Sequence, residues 1–159
     1  MGNLTYGEVT SVGRSQLANY IKPLINKNSI FLDVGSGYGK IPTYMAENLD
    51  LYSCGIEIDK EKSKIARKIL WTNKKDKIIL INGDILENKT LLNQATIIYM
   101  NNVCWDDELT NFVLDNSKAY VFLMRKTHKY KKYEELSIQT SWKKEGKSPL
   151  YKLNTNTNR

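Results

Sequence analysis

The segment Asp33-Val34-Gly35-Ser36-Gly37-Tyr38-Gly39 lies between a short apolar run, Ser29–Val34, and a stretch with helical character, Lys40–Leu49. A strand that passes through a glycine-rich turn straight into a helix narrows what can follow, because the turn permits a tight reversal and close backbone approach to a ligand. The same alternation continues downstream. Tyr52–Ile58 reads as a strand, Lys60–Asn73 as a helix with Ile65, Ile69 and Leu70 inward, and Lys77–Asn82 as a strand. Leu86–Leu92 is a short helical piece, Thr96–Asn101 a strand, Asp106–Asn116 a helix and Ala119–Met124 a strand. Upstream, Met1–Gly13 reads as a polar loop and Arg14–Asn26 as a helix bent near its end by Pro23. Short connections between alternating strands and helices predict parallel βαβ units with right-handed crossovers. The result is a doubly wound α/β sheet with ligands at the strand carboxyl ends.

The alternation breaks after Met124. Arg125–Lys132 is basic and shows no apolar periodicity, while Leu136–Trp142 and Leu150–Leu153 have strand character around a Lys/Gly/Pro turn. A terminal antiparallel hairpin on an otherwise parallel sheet, seven strands in all, is the expectation, with Asn154–Arg159 frayed. At 159 residues and 41% hydrophobic content the chain is read as one domain, residues 1–159. Its apolar runs fall short of a membrane span and its N-terminus is unlike a signal peptide, so a soluble intracellular protein is expected. Cys54 and Cys104 both sit in apolar stretches outside any CxxC and read as buried free thiols. With one histidine and no ligand cluster, no metal site is expected.

The chemistry lies in where the acids fall. Asp33 ends the first strand, Glu57 the second, and Asp84 follows the third, all on one rim of the sheet. Lys40 is followed by Ile41, so the glycine loop lacks the Gly-Lys-Ser/Thr of a nucleotide-phosphate loop, and its GxGxG spacing is not the GxGxxG of dinucleotide folds. Glu57 is placed to accept both ribose hydroxyls of an adenosine. Asp84 can take the adenine amine with Ile85 against the ring. Asp33 adds negative charge where a ligand carries a sulfonium and an ammonium. Pyrophosphate would be repelled by this set; S-adenosylmethionine (SAM) would not. Asn101-Asn102, at the end of the fourth strand, stands where the methyl acceptor arrives. No proline follows, which disfavours enzymes that methylate adenine or glutamine amide.

Taken in order, Tyr6-Gly7-Glu8, Asp33–Gly39, Gly55-Ile56-Glu57, Asn82-Gly83-Asp84-Ile85-Leu86, Tyr99-Met100-Asn101-Asn102 and Ser141-Trp142 resemble the catalytic core of the disruptor-of-telomeric-silencing family. These are histone lysine methyltransferases with a Rossmann-like, class I SAM methyltransferase fold instead of a SET domain. The resemblance spans about Leu4 to Leu153. It implies SAM as cofactor and S-adenosylhomocysteine as product. It also implies that residues 1–13, with Tyr6 and Glu8 among them, fold over the cofactor, Glu8 reaching its amino-acid end, and that Asp33, Gly35 and Gly37 hold the methionine part. Glu57 would then take the ribose, Asp84 and Ile85 the adenine, and Asn101 would lie near the methyl group. Trp105, Trp142 and Tyr151 would wall a narrow lysine channel. The chain is expected to do without the helical domain and long basic tail that family members carry, and Lys40 stands where a glutamine is common.

The implied activity is protein-lysine methylation of a core histone in the nucleosome, in the nucleus. A formal charge of +7 suits an acidic partner. Arg125, Lys126, Lys129, Lys131 and Lys132 are the expected docking residues, toward nucleosomal DNA or the acidic patch of the histone core, with Arg125 the anchor for carboxylates. Two other readings stay open: methylation of a non-histone protein or small amine, and a SAM-fold binding protein without catalysis.

Overall fold

The computed structural model describes residues 8–73, 76–143 and 146–157. Seven strands form one sheet: β1 (Ile30–Val34), β2 (Tyr52–Glu57), β3 (Ile78–Asn82), β4 (Ile97–Met100), β5 (Tyr120–Leu123), β6 (Glu134–Ile138) and β7 (Ser148–Asn154). Their order across the sheet is β3-β2-β1-β4-β5-β7-β6. The first five are parallel, and β7 inserts antiparallel between β5 and β6. Two antiparallel steps turn β6 back to the direction of β5, so its carboxyl end joins those of β1–β5 on one rim. The predicted mainly parallel sheet with a terminal hairpin is therefore present.

Strand alternation builds two cores. Phe31, Ile97, Tyr99 and Phe122 point to one face, against Leu17 and Ile21 of α1 (Ser11–Ile21) and Met45 of α2 (Lys40–Leu49). Leu32, Val34, Ile98, Met100, Val121 and Leu123 point to the other, under Leu92 of α4 (Lys89–Gln94) and Val113 and Leu114 of α5 (Asp107–Asp115). Local chemistry sets the helix starts. Thr10 caps α1 by accepting from the Gly13 amide at 3.1 Å, and Asp106 caps α5 by accepting from Leu109 at 2.8 Å.

Several details differ from expectation. The first helix begins at Ser11, because Thr10 supplies the cap, and ends at Ile21; Pro23 opens a separate 3₁₀ turn, Lys22–Leu24. In α3 (Lys60–Asn73) the inward stripe is Ser63, Ala66 and partly buried Leu70, at spacings of three and four, which leaves Ile65 and Ile69 exposed. Cys54 is buried, its thiol pushed up to about 11 by burial and by Asp33, but Cys104 is exposed on the turn after β4. β6 stops at Ile138, short of Trp142, and the tail is held at Thr155, whose buried hydroxyl accepts from the Ala119 amide at 2.8 Å. Among the described residues no helix is long and apolar enough to cross a membrane.

Candidate cofactor and active site

A cavity of about 180 Å³ opens at the carboxyl rim above β1, β2 and β4. Its walls include Glu8, Asp33, Gly35, Gly37, Tyr38, Glu57, Tyr99 and Asn101, with Arg14, Lys40 and Lys62 also lining it. The glycine loop is folded tightly against the end of β2. The Gly35 and Ser36 amides both donate to the Ile56 carbonyl, at 2.8 and 3.0 Å, and the Gly37 amide donates to Glu57 Oε1 at 2.8 Å. This close approach requires Gly55, since a Cβ there would lie 2.7 Å from the Ser36 side chain. Gly37, at φ +55°, faces open space.

Those hydrogen bonds decide what the loop can hold. With the three amides spent inside the fold, they offer no cradle for a phosphate. The floor is acidic instead. The second Glu57 oxygen accepts from the Asp59 amide at 2.8 Å, and a carboxyl group held by two such bonds keeps further lone pairs for ligand hydroxyls. Asp33, 3% exposed, faces Tyr99 across the β1–β4 ladder. Burial, with Glu57 nearby, raises the Asp33 carboxyl to about 8. Tyr99 lines the same cavity with a buried hydroxyl that has no hydrogen-bond partner, and burial and Asp33 raise its pKa too. An orphaned hydroxyl beside a proton-holding carboxyl, under an open glycine turn, suits a ligand that brings its own donors and a positive charge. These residues fit SAM.

The structure brings together most of the residues read from the sequence, though not all. Glu8, Asp33, Gly35, Gly37, Glu57 and Asn101 converge on the cavity. Tyr6 lies outside the described residues. Asp84 and Ile85 are not brought into the cavity wall: Asp84 Oδ1 accepts from the Leu86 amide at 2.9 Å as the cap of a 3₁₀ turn, and Ile85 is buried in the core under α4 and α5. Trp105 leans over the glycine loop, its ring 3.6 Å from where a Gly35 Cβ would stand. Trp142 packs partly buried on the α1–α2 face, next to Ser141, and Tyr151 packs edge-on against Tyr133 at 6.1 Å on the opposite face. None of these three aromatics lines the cavity itself.

The two asparagines divide their roles. Asn101 reaches the cavity, with a long 3.4 Å contact from the Val103 amide to its oxygen. Asn102 is fully buried. Its Oδ1 accepts from the Met124 and Arg125 amides at 3.0 and 2.9 Å, and its Nδ2 donates to the Arg125 carbonyl at 2.8 Å and to Thr110 at 3.1 Å. It staples β4 to β5 and α5. Arg125, expected as an external anchor, is engaged internally: its guanidinium binds Asp107 at 2.7 Å and donates to the Trp105 carbonyl at 2.7 Å. It braces the loop that carries Trp105. Lys129 pairs with Asp115, and the Lys126 ammonium sits 5.1 Å from the Tyr151 ring centroid.

Sequence reasoning missed Tyr99, Arg14 and Lys62 as wall residues. Tyr99 was detectable, since it pairs with Asp33 by strand register; the two cations come from helices whose rotation only packing sets. Lys40 forms a 2.9 Å ion pair with Glu8 at the mouth. Glu8 is also bound to Ser141 by two hydrogen bonds of 2.9 Å, so chain segments 133 residues apart meet over the cavity.

Solved structures with this architecture include several methyltransferases. An RNA methyltransferase from Salinibacter ruber, in complex with S-adenosyl-L-homocysteine, superimposes with a TM-score of 0.65 at 19% identity, covering 91% of this chain and 93% of that one. TrmK of M. capricolum, bound to the same product, gives 0.65 at 17% identity, covering 95% and 71%. The human methyltransferase 10 domain containing protein gives 0.68 at 12% identity, covering 92% and 82%. At these identities the likeness shows the fold. A search of curated proteins finds no match. Residues 1–121 match the family model of the histone methylation protein DOT1. The class I architecture and the acidic cavity agree with the family match, which makes the chain a SAM-dependent methyltransferase, and the chain belongs to that family.

Proposed function

We propose that this methyltransferase modifies the side-chain amine of a lysine in a core histone of the nucleosome, and that it works in the nucleus. Family membership supports the substrate class, and the observation that carries the site is Asn101, at the cavity wall just beyond the carboxyl end of β4. Bound SAM supplies a methyl group made electrophilic by the sulfonium. The chain's own residues supply alignment, which is most of what an in-line displacement needs. Asp33 and Glu57 form the cavity floor that holds the cofactor, and the Tyr99 hydroxyl gains a partner there. The Asn101 amide orients the incoming amine. That amine must arrive neutral, from an ordinary lysine pKa of about 10.4; apolar surroundings disfavour its charged form, and Trp105 over Gly35 provides them. Lys126, Lys129, Lys131 and Lys132, on the segment leaving β5 at the same rim, contact nucleosomal DNA or the acidic patch.

The test is methyl transfer from labelled SAM to intact nucleosomes, to free histones, and to non-histone proteins and small amines in parallel. The proposal expects label on nucleosomal histone and its loss in Asn101→Ala, with SAM binding retained. Label confined to the other acceptors, or wild-type turnover by the variant, overturns it.

A further inference from the structure

The outward face of α3 is strongly cationic. The helix carries Lys60, Lys62, Lys64, Arg67 and Lys68 against a single acid, Glu61. At 3.6 residues per turn, positions 60, 64, 67, 68 and 71 fall on one stripe. All five are exposed, and Trp71 is 85% exposed. Among the described residues Lys60, Lys64, Arg67 and Lys68 form no ion pair. Lys60, Lys64 and Lys68 are successive like charges four apart, which works against the helix. Nothing in α3's own packing uses the stripe, because the helix is held by Ser63, Ala66 and Leu70 on its inner side.

We infer that the Lys60–Trp71 face of α3 binds a single-stranded stretch of nucleic acid, the cations tracking phosphates and Trp71 stacking on an unpaired base. The placement of the tryptophan selects this partner. A helix lying on an anionic membrane groups its aromatics with its aliphatics and flanks them with lysines. Here the exposed aliphatics Ile65 and Ile69 lie on the opposite shoulder, and Trp71 sits within the cationic stripe. A ring inside a positive track is the arrangement of a base-stacking platform. The surface differs from the basic segment after β5: α3 packs against β2 and β3, at the other end of the sheet. It is independent of the histone reading.

The experiment measures binding of fluorescent oligo(dT) and oligo(rU) to the full chain by anisotropy across a salt series, with SAM titration as the check of folding. Wild type should bind both, more weakly as salt rises. Trp71→Ala should lose roughly tenfold or more in affinity with its salt slope kept, as expected for a stacking contact. The triple variant Lys64→Gln, Arg67→Gln, Lys68→Gln should lose affinity and flatten the slope. Both variants should bind SAM like wild type. Oligonucleotide binding unchanged in both variants overturns the inference. So does Trp71-dependent binding to phosphatidylserine vesicles without oligonucleotide binding, or loss of binding only when Lys129, Lys131 and Lys132 are neutralised.

Discussion

At the scale of single residues, Asp33 ties the site to pH. Its carboxyl is raised to about 8 by burial and by Glu57, so the free folded protein holds a proton there that the unfolded chain gives up near the ordinary value of 3.8. Between those values the folded state binds more protons than the unfolded one. The contribution of Asp33 to stability therefore falls as pH rises through that window. A cationic ligand reverses the preference, since it favours the carboxylate. SAM affinity should accordingly climb with pH from about 5.5 to about 7.5, by close to tenfold per unit, with a proton released to buffer on binding. Calorimetry in buffers of different ionisation enthalpy checks this, and Asp33→Asn should remove the pH dependence. Tyr99→Phe should weaken SAM binding by up to roughly tenfold, the weight of one hydrogen bond, without lowering stability, because its hydroxyl has no partner in the free protein. Asp33 and Glu57 were legible in the sequence because strand ends announce the rim. That Asn101 and not Asn102 faces the cavity was legible only through the family resemblance, but the stapling role of Asn102 was not, because its partners at Met124, Arg125 and Thr110 are far off in sequence.

At the scale of elements, the turn between β4 and α5 carries the proposed acceptor side of the site, and Arg125 braces it through Asp107 and the Trp105 carbonyl. Removing the guanidinium in Arg125→Gln should lower turnover by roughly ten- to a hundredfold, through misplacement of Trp105, while SAM affinity stays within about twofold. Steady-state kinetics beside SAM titration separates the two. Loss of both together would make Arg125 a general stability residue. Asn102→Ala belongs to the same joint. It strands two amides and a carbonyl in the interior and should cost about 2–4 kcal/mol in urea unfolding. Helix limits α2 and α3 could be read to the residue, because Gly39 and the acidic turn at Asp59 punctuate the chain there. The inward face of α3 could not: Ile65 and Ile69 suggest one face by hydropathy, but small Ser63 and Ala66 are what fit beneath the helix at Ile78 and Leu80. The basic segment after β5 likewise hides its anchors, since Thr127 and Tyr130 turn inward three residues apart without forming a hydrophobic pattern.

At the scale of the whole molecule, the sheet order places three separate stretches of chain at one rim: the glycine loop, the Asn101–Trp105 turn, and the Glu8 segment bound to Ser141. That convergence was legible only as a succession of motifs, because nothing local in the sequence joins Glu8 to Ser141. The segment that leaves this rim after β5 carries the lysines proposed to dock the nucleosome, and it runs down to Asp115 at the far end of α5. Reversing Lys126, Lys131 and Lys132 to Glu should reduce methylation of nucleosomes severalfold and flatten its salt dependence, while leaving SAM affinity intact. The central claim, that the amine methylated here is a histone lysine, is tested most directly by mass spectrometry of nucleosomes incubated with the protein and deuterated SAM. Deuterated methyl is expected on a lysine of one core histone, and is expected to be absent with Asn101→Ala. Histones that stay unmodified, while the same preparation transfers deuterated methyl to another protein, an RNA or a small amine, would contradict it.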